Sequence, residues 1–440
     1  MLRRNDGAVS MAESTTVTIA DITSFKKKAL QWANYFGTVC LLDSNDYPHA
    51  KNKSKDWVLA VDAVDELNCG ADAFEKLKVF QANAGTTIFG FLTYDLKNQV
   101  EKLESRHEDR LGFPELYFFK PRYVIEVGGN KVTINRNYPE TFELIELIQK
   151  LEIKKEPGQT HELKLRATTP TAKYLENVER IKTQIKEGDF YELNYCTEFY
   201  AENTIINTIE TFNRLNENAK APFSAFFKHD GKYLMCASPE RFLKKEGSKL
   251  ISQPIKGTIK KGVTKDEDDA LKVQLQLDLK ERAENVMIVD LVRNDLAKSS
   301  IAGSVEVEEL FGVHGFKNVN QMISTVTSEL SPDTHFVDAI KNAFPMGSMT
   351  GAPKIEVMKN IERYEDVKRG LYSGSVGYIT PNGDFDFNVV IRSIFYRGTT
   401  KYVSIQAGGA ITYDSIPEKE YDEILLKAKG MMIALNAELV

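Results

Sequence analysis

The chain has 440 residues, of which 42% are hydrophobic and 27% are charged, and its formal net charge is −6 at pH 7. This composition is typical of a globular protein with a substantial core, and it excludes a disordered chain or a fibre. The mild negative charge gives no reason to expect a nucleic acid or an anionic membrane as a partner.

The cysteine content and the N-terminus indicate a cellular location. Cysteines are too few, and too far apart, for a disulfide framework: Cys40, Cys69, Cys196 and Cys236. This favours a reducing compartment. No apolar run reaches the roughly 18 to 20 residues of a membrane span, and residues 1–10 lack the apolar segment of a secretory signal. We therefore expect a cytoplasmic protein whose residues 1–20 form a disordered leader.

The first third of the chain mixes helical and strand patterns. Apolar residues recur at helical spacing in two stretches, and short apolar runs bounded by polar residues predict strands between them. The predicted elements are a helix at 22–36, strands at 38–42 and 56–61, a helix at 71–82, a strand at 86–94, a hairpin at 117–137 and a helix at 140–153. Residues 154–160 contain Pro157 and Gly158 and are predicted to be a linker.

The rest of the chain contains longer runs of strands. Its predicted elements are a helix at 173–186 ended by Gly188, strands up to 258, two helices within 265–296, strands at 305–330, helices at 338–344 and 353–364, strands at 372–412 and a helix at 418–439. Strands that follow one another beside separate helices favour an α+β fold, in which antiparallel sheets form a β-sandwich-like core with outer helices. We expect an N-terminal region at 21–153 and a second domain at 166–437.

One lysine stands in an unusual turn, residues 253–258 (QPIKGT). Pro254 fixes its own backbone torsion and Gly257 permits a sharp path, so Lys256 between them has a defined direction. Lysine becomes a nucleophile when burial or a neighbouring cation lowers its pKa. The alternative is a solvated loop lysine, which is the usual environment of this residue type.

Two pairs of glutamates are spaced three residues apart on predicted helices: Glu281 with Glu284, and Glu420 with Glu423. Residues at that spacing share one helix face, so each pair can present two carboxylates together. Carboxylate oxygens suit a hard cation such as Mg²⁺. The alternative is that both pairs are solvated helix faces.

Four further stretches carry polar groups that suit an anionic ligand. Residues 347–354 (GSMTGAPK) can bind an anion at a helix start or form a glycine-rich turn. Residues 406–410 (QAGGA) can cradle a carboxylate or form a bulge or corner. Arg392 can contact a carboxylate with two hydrogen bonds or form an ion pair at a strand end. Glu240 can act as a general acid or pair with a neighbouring cation.

In this order, these stretches resemble the chorismate-utilising enzymes, a family that includes anthranilate synthase component I, aminodeoxychorismate synthase component I, isochorismate synthase and salicylate synthase. The resemblance covers nearly all of residues 166–430 and is weaker at the N-terminus. The blocks that carry it are SPERF (238–242), PIKGT (254–258), KERAENVMIVDLVRND (280–295), FPMGSMTGAPK (344–354), RGLYSGSVG (369–377), 391–393 and 406–427.

The resemblance implies a magnesium-dependent site for chorismate. Glu284 and Glu423 would hold Mg²⁺, supported by Glu281 and Glu420. Contacts to the substrate would come from Arg392, Tyr372 and the N–H groups near Gly408 and Gly409, with Thr350 and Lys427 as further contacts. Glu240 would protonate the C4 hydroxyl, and Lys256 would attack C2, which requires an uncharged amine. We therefore predict that the pKa of Lys256 is depressed.

Lys256 and Asn194 resemble the aminodeoxychorismate synthase branch of the family. The implied product is 4-amino-4-deoxychorismate, on the route to 4-aminobenzoate and folate. None of the four cysteines stands in the Gly-x-Cys-x-Gly turn of a glutamine amidotransferase, so the resemblance implies a separate glutaminase subunit that supplies ammonia. Three positions depart from the family pattern: Gln321 replaces a histidine, Glu192 replaces a glutamine and Ala410 replaces a glycine.

Two other interpretations stay open. Anthranilate synthase component I would release pyruvate and make an aromatic product, and Lys256 speaks against it. The second interpretation is a non-catalytic chorismate-binding subunit. The presence of the acidic and basic residues that the family uses for catalysis and binding speaks against it. Relatives also have a tryptophan site near Leu42 and Ser44, which would be regulatory or structural here.

Overall fold

The structure is a computed structural model that describes residues 14–47, 55–135, 141–153, 162–317 and 319–440. Strands and helices alternate along these ranges without a regular βαβ repeat. Within them, no helix is both long and apolar enough to cross a membrane.

The described strands pair almost entirely in the antiparallel sense. They are β1 (Ser14–Thr18), β2 (Thr38–Asp43), β3 (Trp57–Cys69), β4 (Ile88–Leu92), β5 (Leu116–Gly128), β6 (Lys131–Asn135), β7 (Leu163–Ala167), β8 (Glu192–Ala201), β9 (Phe223–His229), β10 (Lys232–Ser238), β11 (Arg241–Glu246), β12 (Lys249–Gln253), β13 (Ile255–Lys260), β14 (Glu306–Gly315), β15 (Val319–Glu329), β16 (Gly351–Ala352), β17 (Ser375–Ile379), β18 (Phe385–Asn388), β19 (Ser393–Arg397), β20 (Tyr402–Ile411) and β21 (Ala437–Leu439).

The helices bury one face each against these strands or against one another. They are α1 (Ile22–Ala33), α2 (Ala73–Ala84), α3 (Lys97–Val100), α4 (Thr141–Lys150), α5 (Thr171–Glu187), α6 (Thr208–Ala219), α7 (Lys265–Leu277), α8 (Leu279–Ala297), α9 (Phe336–Ala343), α10 (Lys354–Tyr364) and α11 (Pro417–Leu435). Two 3₁₀ turns, Tyr94–Leu96 and Gly347–Met349, complete the set within the described ranges.

The strands form two arms that meet at β5. One arm runs β5, β3, β2, β9, β10, β19, β20 and β8, and the other runs β5, β4, β17, β18, β11, β12 and β15. Aromatic rings pack between the arms: the centroid of Phe91, on β4, lies 5.1 Å from that of Phe227, on β9. This confirms the predicted α+β fold with a sandwich-like core.

The two predicted regions share these sheets. β2 pairs with β9 and β4 pairs with β17, so strands from before residue 153 are hydrogen-bonded to strands from after residue 166. The predicted linker at 154–160 lies outside the described residues. The prediction of a disordered leader at 1–20 is wrong for its last residues, because β1 (Ser14–Thr18) pairs with β6 over five residues. Residues 1–13 lie outside the described part of the chain.

Helix α6 and strand β21 are among the elements that were missed in the sequence. Helix α6 stands where strands were predicted, and the side chain of Asn207 caps it by accepting a hydrogen bond from the backbone N–H of Glu210. Its buried residues Thr211, Phe212 and Leu215 have helical spacing, which was the available signal. The closing helix ends at Leu435, where Asn436 adopts a left-handed conformation, and β21 then pairs in parallel with β7.

Candidate active site

A cavity of about 650 Å³ lies between β13, α8, β20 and α11. The polar side chains that line it come from all the blocks that carry the family resemblance after residue 190. They include Asn194, Glu240, Lys256, Lys280, Glu281, Glu284, Gln321, Ser348, Tyr372, Arg392, Gln406, Glu423 and Lys427. Most of the residues predicted for the chorismate and Mg²⁺ site therefore converge on this cavity, whereas Thr350, Gly409 and Glu420 do not line it.

Lys256 reaches this cavity from β13. Gly257 beside it has a φ of +88°, and a Cβ at this position would lie 3.0 Å from Glu281 Oε2, so glycine allows the strand to run close to α8. The Nζ atom of Lys256 donates a hydrogen bond of 2.6 Å to Glu192 Oε1 and lies 3.8 Å from Glu284 Oε2. The lysine side chain is only 10% exposed, so it is not a solvated loop lysine.

The predicted pKa direction of Lys256 is wrong. Burial is the largest influence and acts to lower the pKa, as predicted, but the negative charges of Glu192 and Glu284 together with the Glu192 hydrogen bond outweigh it, so the pKa is raised above its usual value. The error arose because the partner Glu192 is 64 residues away in the sequence. Lys256 is therefore an ammonium ion in the resting site.

Glu240 is a buried carboxyl group with a hydrogen-bond partner. The hydroxyl of Ser348 donates to Glu240 Oε1 at 2.6 Å, and the carbonyl oxygen of Ser348 accepts a hydrogen bond of 3.0 Å from the Asn194 side chain. Burial raises the pKa of Glu240 to about 7, although Ser348 and the charge of Lys256 act in the opposite direction. A carboxyl group with this pKa holds a proton near neutral pH, as a general acid must.

The first glutamate pair lies at the start of α8. Asp278 caps this helix by accepting a hydrogen bond from the backbone N–H of Glu281. Burial raises the pKa of Glu281, and burial raises that of Glu284 to about 7 against the attraction of Lys256. Lys280 Nζ lies 3.8 Å from Glu284 Oε1.

The second glutamate pair lies at the start of α11, and Lys427 is one turn further along. Lys427 Nζ lies 2.6 Å from Glu423 Oε1 and donates a hydrogen bond of 2.8 Å to the carbonyl oxygen of Gly408. Burial acts to raise the pKa of Glu423, but Lys427 outweighs it and the pKa is lowered. Glu420 is buried, and a Cβ on Gly409 would lie 3.5 Å from Glu420 Oε2 and 3.7 Å from Glu423 Oε1.

The four carboxylates form one electrostatic group. The charge of Lys280 is stabilised by Glu284, Glu420, Glu281 and Glu423 together, and this attraction outweighs burial and raises the pKa of Lys280. All four side chains offer only oxygen atoms, which is the donor chemistry that Mg²⁺ requires. Among the described residues, no three acidic, cysteine or histidine side chains lie close enough to enclose a metal ion, and Lys256 and Lys427 stand beside Glu284 and Glu423. The donor set fits Mg²⁺.

Arg392 and Tyr372 form the cationic and phenolic part of the lining. Arg392 follows β18 with a φ of +54°, a left-handed conformation that is unfavourable for a residue with a side chain. Its Nη1 donates a hydrogen bond of 3.0 Å to the carbonyl oxygen of Lys427, and burial lowers the pKa of the guanidinium group. Tyr372 accepts a weak hydrogen bond from the Cys196 thiol at 3.5 Å.

The two glycines at 408 and 409 lie inside β20 and not at its end. β20 pairs with β8 from Val403 to Ile411 without a change of register, so the bulge or corner considered for this stretch is absent from these residues. A Cβ on Gly408 would lie 2.3 Å from the Sγ atom of Cys196, its partner on β8. Gly408 is thus required by close packing across the sheet, and its outer surface lines the cavity.

Thr350 does not line the cavity, contrary to its predicted contact with substrate. It is fully buried, and its hydroxyl donates to the carbonyl oxygens of Met346 and Gly347. The turn that contains it does not offer a helix start to an anion either, because the helix begins only at Lys354, whose ammonium is buried against Asp295. The same turn contains Ser348, whose hydroxyl donates to Glu240.

A second, smaller cavity of about 60 Å³ includes Leu42 and Ser44 in its wall. Arg241 and Asp386 also line it and form a buried ion pair, with 2.8 Å between Arg241 Nε and Asp386 Oδ1. The predicted tryptophan site therefore falls on a cavity separate from the larger one.

Glu192, Ser348 and Lys280 contact predicted site residues but were not themselves predicted as site residues. Glu192 was recognised only as a departure from the family pattern, and Ser348 and Lys280 were not singled out. The position of Lys280, directly before the first glutamate pair on α8, was the available signal for a cation among the carboxylates. Nothing in the local sequence shows that Ser348 reaches Glu240, 108 residues away.

A sequence model described as chorismate binding enzyme matches residues 25–433. The chain belongs to this family. It is 34% identical over 361 residues to aminodeoxychorismate synthase component 1 of Bacillus subtilis, covering 79% of this chain and 76% of that protein. It is 42% identical over 260 residues to a probable chloroplastic aminodeoxychorismate synthase of rice (Oryza sativa subsp. japonica), covering 58% of this chain but only 29% of that protein.

Among solved structures, anthranilate synthase component I from Streptococcus pneumoniae TIGR4 superposes with a TM-score of 0.76 at 26% identity. The alignment covers 85% of this chain and 91% of that chain. The chain thus has the fold of a protein named anthranilate synthase component I and the sequence similarity to proteins named aminodeoxychorismate synthase, so family membership alone does not decide between the two reactions.

Proposed function

We propose that the chain is the chorismate-converting component of an aminodeoxychorismate synthase, which makes 4-amino-4-deoxychorismate from chorismate and ammonia. The observation that carries the proposal is the position of Lys256. Its amine is buried in the wall of a cavity of about 650 Å³, beside the carboxyl group of Glu284, and Glu240 lines the same cavity. A lysine placed among such groups is suited to nucleophilic catalysis.

The cavity suits a small dianion with a hydroxyl leaving group. Arg392 and Lys427 supply positive charge to its carboxylates, and Tyr372 supplies a hydroxyl group beside Arg392. Glu284 and Glu423 would hold Mg²⁺, with Glu281 and Glu420 in support, and a bound Mg²⁺ would neutralise negative charge on the substrate.

In the proposed reaction, the ammonium group of Lys256 first releases one proton to solvent. The uncharged amine then attacks C2 of chorismate: the Nζ–C2 bond forms as the C4–O bond breaks, and the proton of Glu240 leaves with the hydroxyl group as water. Ammonia next bonds to C4 and the Nζ–C2 bond breaks, which restores the amine of Lys256. The ammonium group formed on C4 gives one proton back to Glu240, which restores the general acid. The pKa of Glu240, about 7, keeps its proton available for the departure of the hydroxyl group.

Ammonia would come from a glutamine amidotransferase subunit. The name "component 1" of the Bacillus subtilis relative supports a two-component enzyme. A product on the route to 4-aminobenzoate and folate, a cytoplasmic location and a tryptophan site at Leu42 and Ser44 stay predictions, and the last is tested by titrating the chain with tryptophan.

The test is a product assay on the purified chain with chorismate, Mg²⁺ and ammonium at alkaline pH, in which ammonium replaces the partner subunit. We expect 4-amino-4-deoxychorismate without pyruvate. Lys256→Met should abolish its formation, and mass analysis of the chorismate-treated wild type should detect added mass on Lys256. Lys359→Met is the matched control, because Lys359 forms an exposed ion pair with Glu356 on α10.

Other products would identify the other functions. Anthranilate with an equal amount of pyruvate would show that the chain is an anthranilate synthase component and would refute the proposal. Unchanged chorismate, both alone and with a glutaminase subunit, would indicate a binding subunit. An unmodified Lys256 in a chain that makes the expected product would refute the covalent step alone.

A further inference from the structure

Glu192 is a buried carboxylate with a single side-chain partner. It is 1% exposed, and its Oε1 atom accepts the 2.6 Å hydrogen bond from Lys256 Nζ. Its Oε2 atom is buried and has no hydrogen-bond partner among the described residues. Buried carboxylates in folded proteins are normally satisfied by several donors. Among the described residues, the hydrogen bond to Lys256 is therefore the contact that the carboxylate of Glu192 makes.

The backbone around Glu192 is fixed from the other side. Glu192 begins β8, where it pairs with Ala352 of β16. Gly351 has a φ of +146°, and a Cβ on it would lie 2.0 Å from the carbonyl oxygen of Glu192. The two strands thus approach so closely that only glycine fits at position 351, and this pairing fixes the backbone of Glu192 against β16.

A second carboxylate, that of Glu284, also attracts the ammonium group of Lys256. Glu284 Oε2 lies 3.8 Å from Nζ, too far for a hydrogen bond but close enough for a strong electrostatic attraction in a buried site. A flexible four-carbon side chain would otherwise turn toward Glu284. The 2.6 Å contact with Glu192 keeps the nitrogen out of hydrogen-bond distance from Glu284, and Glu192 itself does not line the cavity.

We propose that Glu192 is the positioning residue of Lys256: it sets, through the length of its side chain, where the nucleophilic nitrogen stands in the cavity. This inference rests on the proposed function, since it concerns the residue that would attack chorismate. It goes beyond that function by assigning a task to a residue that departs from the family pattern. Because Glu192 contacts Lys256 and not the cavity, its loss should affect the chemical step and leave chorismate binding intact.

Three substitutions separate side-chain length from charge. Glu192→Gln keeps the length and the accepting oxygen but removes the charge, Glu192→Asp keeps the charge but shortens the side chain, and Glu192→Ala removes both. We expect Glu192→Ala and Glu192→Asp to lower kcat about 10²-fold, the usual effect of misplacing a reacting group by about 1 Å. Glu192→Gln should stay within about tenfold of the wild type, and KM for chorismate should change less than about threefold in all three.

The matched controls are the same three substitutions at Glu356, whose ion pair with Lys359 is exposed; they should leave kcat and KM unchanged. Positioning is refuted if Glu192→Asp is as active as the wild type while Glu192→Gln is as slow as Glu192→Ala, because charge and not length would then matter. It is also refuted if Glu192→Ala has a normal kcat, or if the loss is entirely in KM.

The proposed function and this inference fail in different ways. The identity of the wild-type product and the activity of Lys256→Met test the function, whatever Glu192 does. The order of activity among the Glu192 variants tests the positioning role, and it is read only as a ratio to the wild type. Thermal unfolding of each variant identifies a protein that has lost activity because it no longer folds.

Discussion

Replacing Lys256 by methionine should destabilise the protein, because the substitution leaves a carboxylate buried without a partner. Methionine keeps most of the apolar length of the side chain and removes only the charge and its hydrogen bond. Glu192 is 1% exposed and has no other side-chain partner among the described residues. Glu284, 3.8 Å from Lys256, would face it with the same charge.

The magnitude follows from the burial of the pair. Removing one partner of a buried ion pair costs about 3–5 kcal/mol, since the remaining charge is desolvated without compensation. With an unfolding entropy of about 2.1 cal/mol/K per residue, a chain of 440 residues changes its free energy of unfolding by about 0.9 kcal/mol per degree near Tm. The expected decrease in Tm is therefore about 3–5 °C.

The pH dependence distinguishes this mechanism from a loss of packing. Burial raises the pKa of Glu284 to about 7, and the charge of Lys256 acts to lower it. Without Lys256 this pKa rises further, so the folded variant binds more protons than the unfolded chain over a wider pH range than the wild type does. Its free energy of unfolding then falls as pH rises through that range. The deficit relative to the wild type should be larger at pH 8.5 than at pH 5.5.

The measurement is thermal and urea unfolding of four proteins at both pH values: wild type, Lys256→Met, Lys256→Met/Glu192→Gln and the exposed control Lys359→Met. The double variant should recover most of the stability, because the unpaired charge is gone, and the control should stay within about 0.5 kcal/mol of the wild type. The reasoning is refuted if Lys256→Met is as stable as the wild type at pH 8.5, or if the double variant is no more stable than the single one.

Three further predictions concern other parts of the cavity. Glu240→Gln should abolish activity and stabilise the fold by up to about 3 kcal/mol above pH 7. The reason is that the pKa of the native carboxyl group is raised from 4.5 to about 7, so the wild type loses stability as pH rises between those values. Urea unfolding against pH measures this difference in stability, and an equal difference at pH 4 and pH 8 would contradict the prediction. Ser348→Ala removes a hydrogen bond that lowers the pKa of Glu240, so the fall of kcat with rising pH should move to higher pH in the pH–rate profile, and an unmoved limb would exclude Glu240 as its source. Gly408→Ala places a Cβ 2.3 Å from Cys196 Sγ and should lower the free energy of unfolding by about 1–3 kcal/mol, measured by thermal unfolding. Gly409→Ala is the control and should lower it less, because the nearest atom to a Cβ at this position is 3.5 Å away. Equal losses of stability in the two variants would contradict the packing argument.

The sequence was sufficient for the local features of the site. Gly188 ends α5 in a left-handed conformation, and Glu281 and Glu284 lie on α8 at the spacing that was predicted. These features depend on residues within a few positions of one another, where helix periodicity and glycine torsions are decisive. The α+β fold follows from the same local patterns, taken together with the family resemblance.

Contacts between distant strands were beyond local patterns. Gly408 is required because Cys196 stands opposite it on β8, and the sequence alone allowed a bulge or a corner instead. The family resemblance implied that Thr350 contacts the substrate, yet its hydroxyl is used inside its own turn. For Gly408 the strand register decides which atoms meet, and local composition does not specify that register.

The error in the pKa of Lys256 has a consequence for how the site works. Burial alone would have produced an uncharged amine ready to attack, but it would also have left a buried lysine without a partner. The pair with Glu192 removes that cost and keeps the nitrogen protonated, so the contact that stabilises the fold opposes the reactivity of the same atom. In Glu192→Gln the amine keeps its acceptor but loses the nearest negative charge, and its pKa should fall toward the value that burial favours. A variant that is less stable than the wild type and yet nearly as active would show that Lys256 needs the length of Glu192 for its position, and the charge chiefly for the stability of the fold.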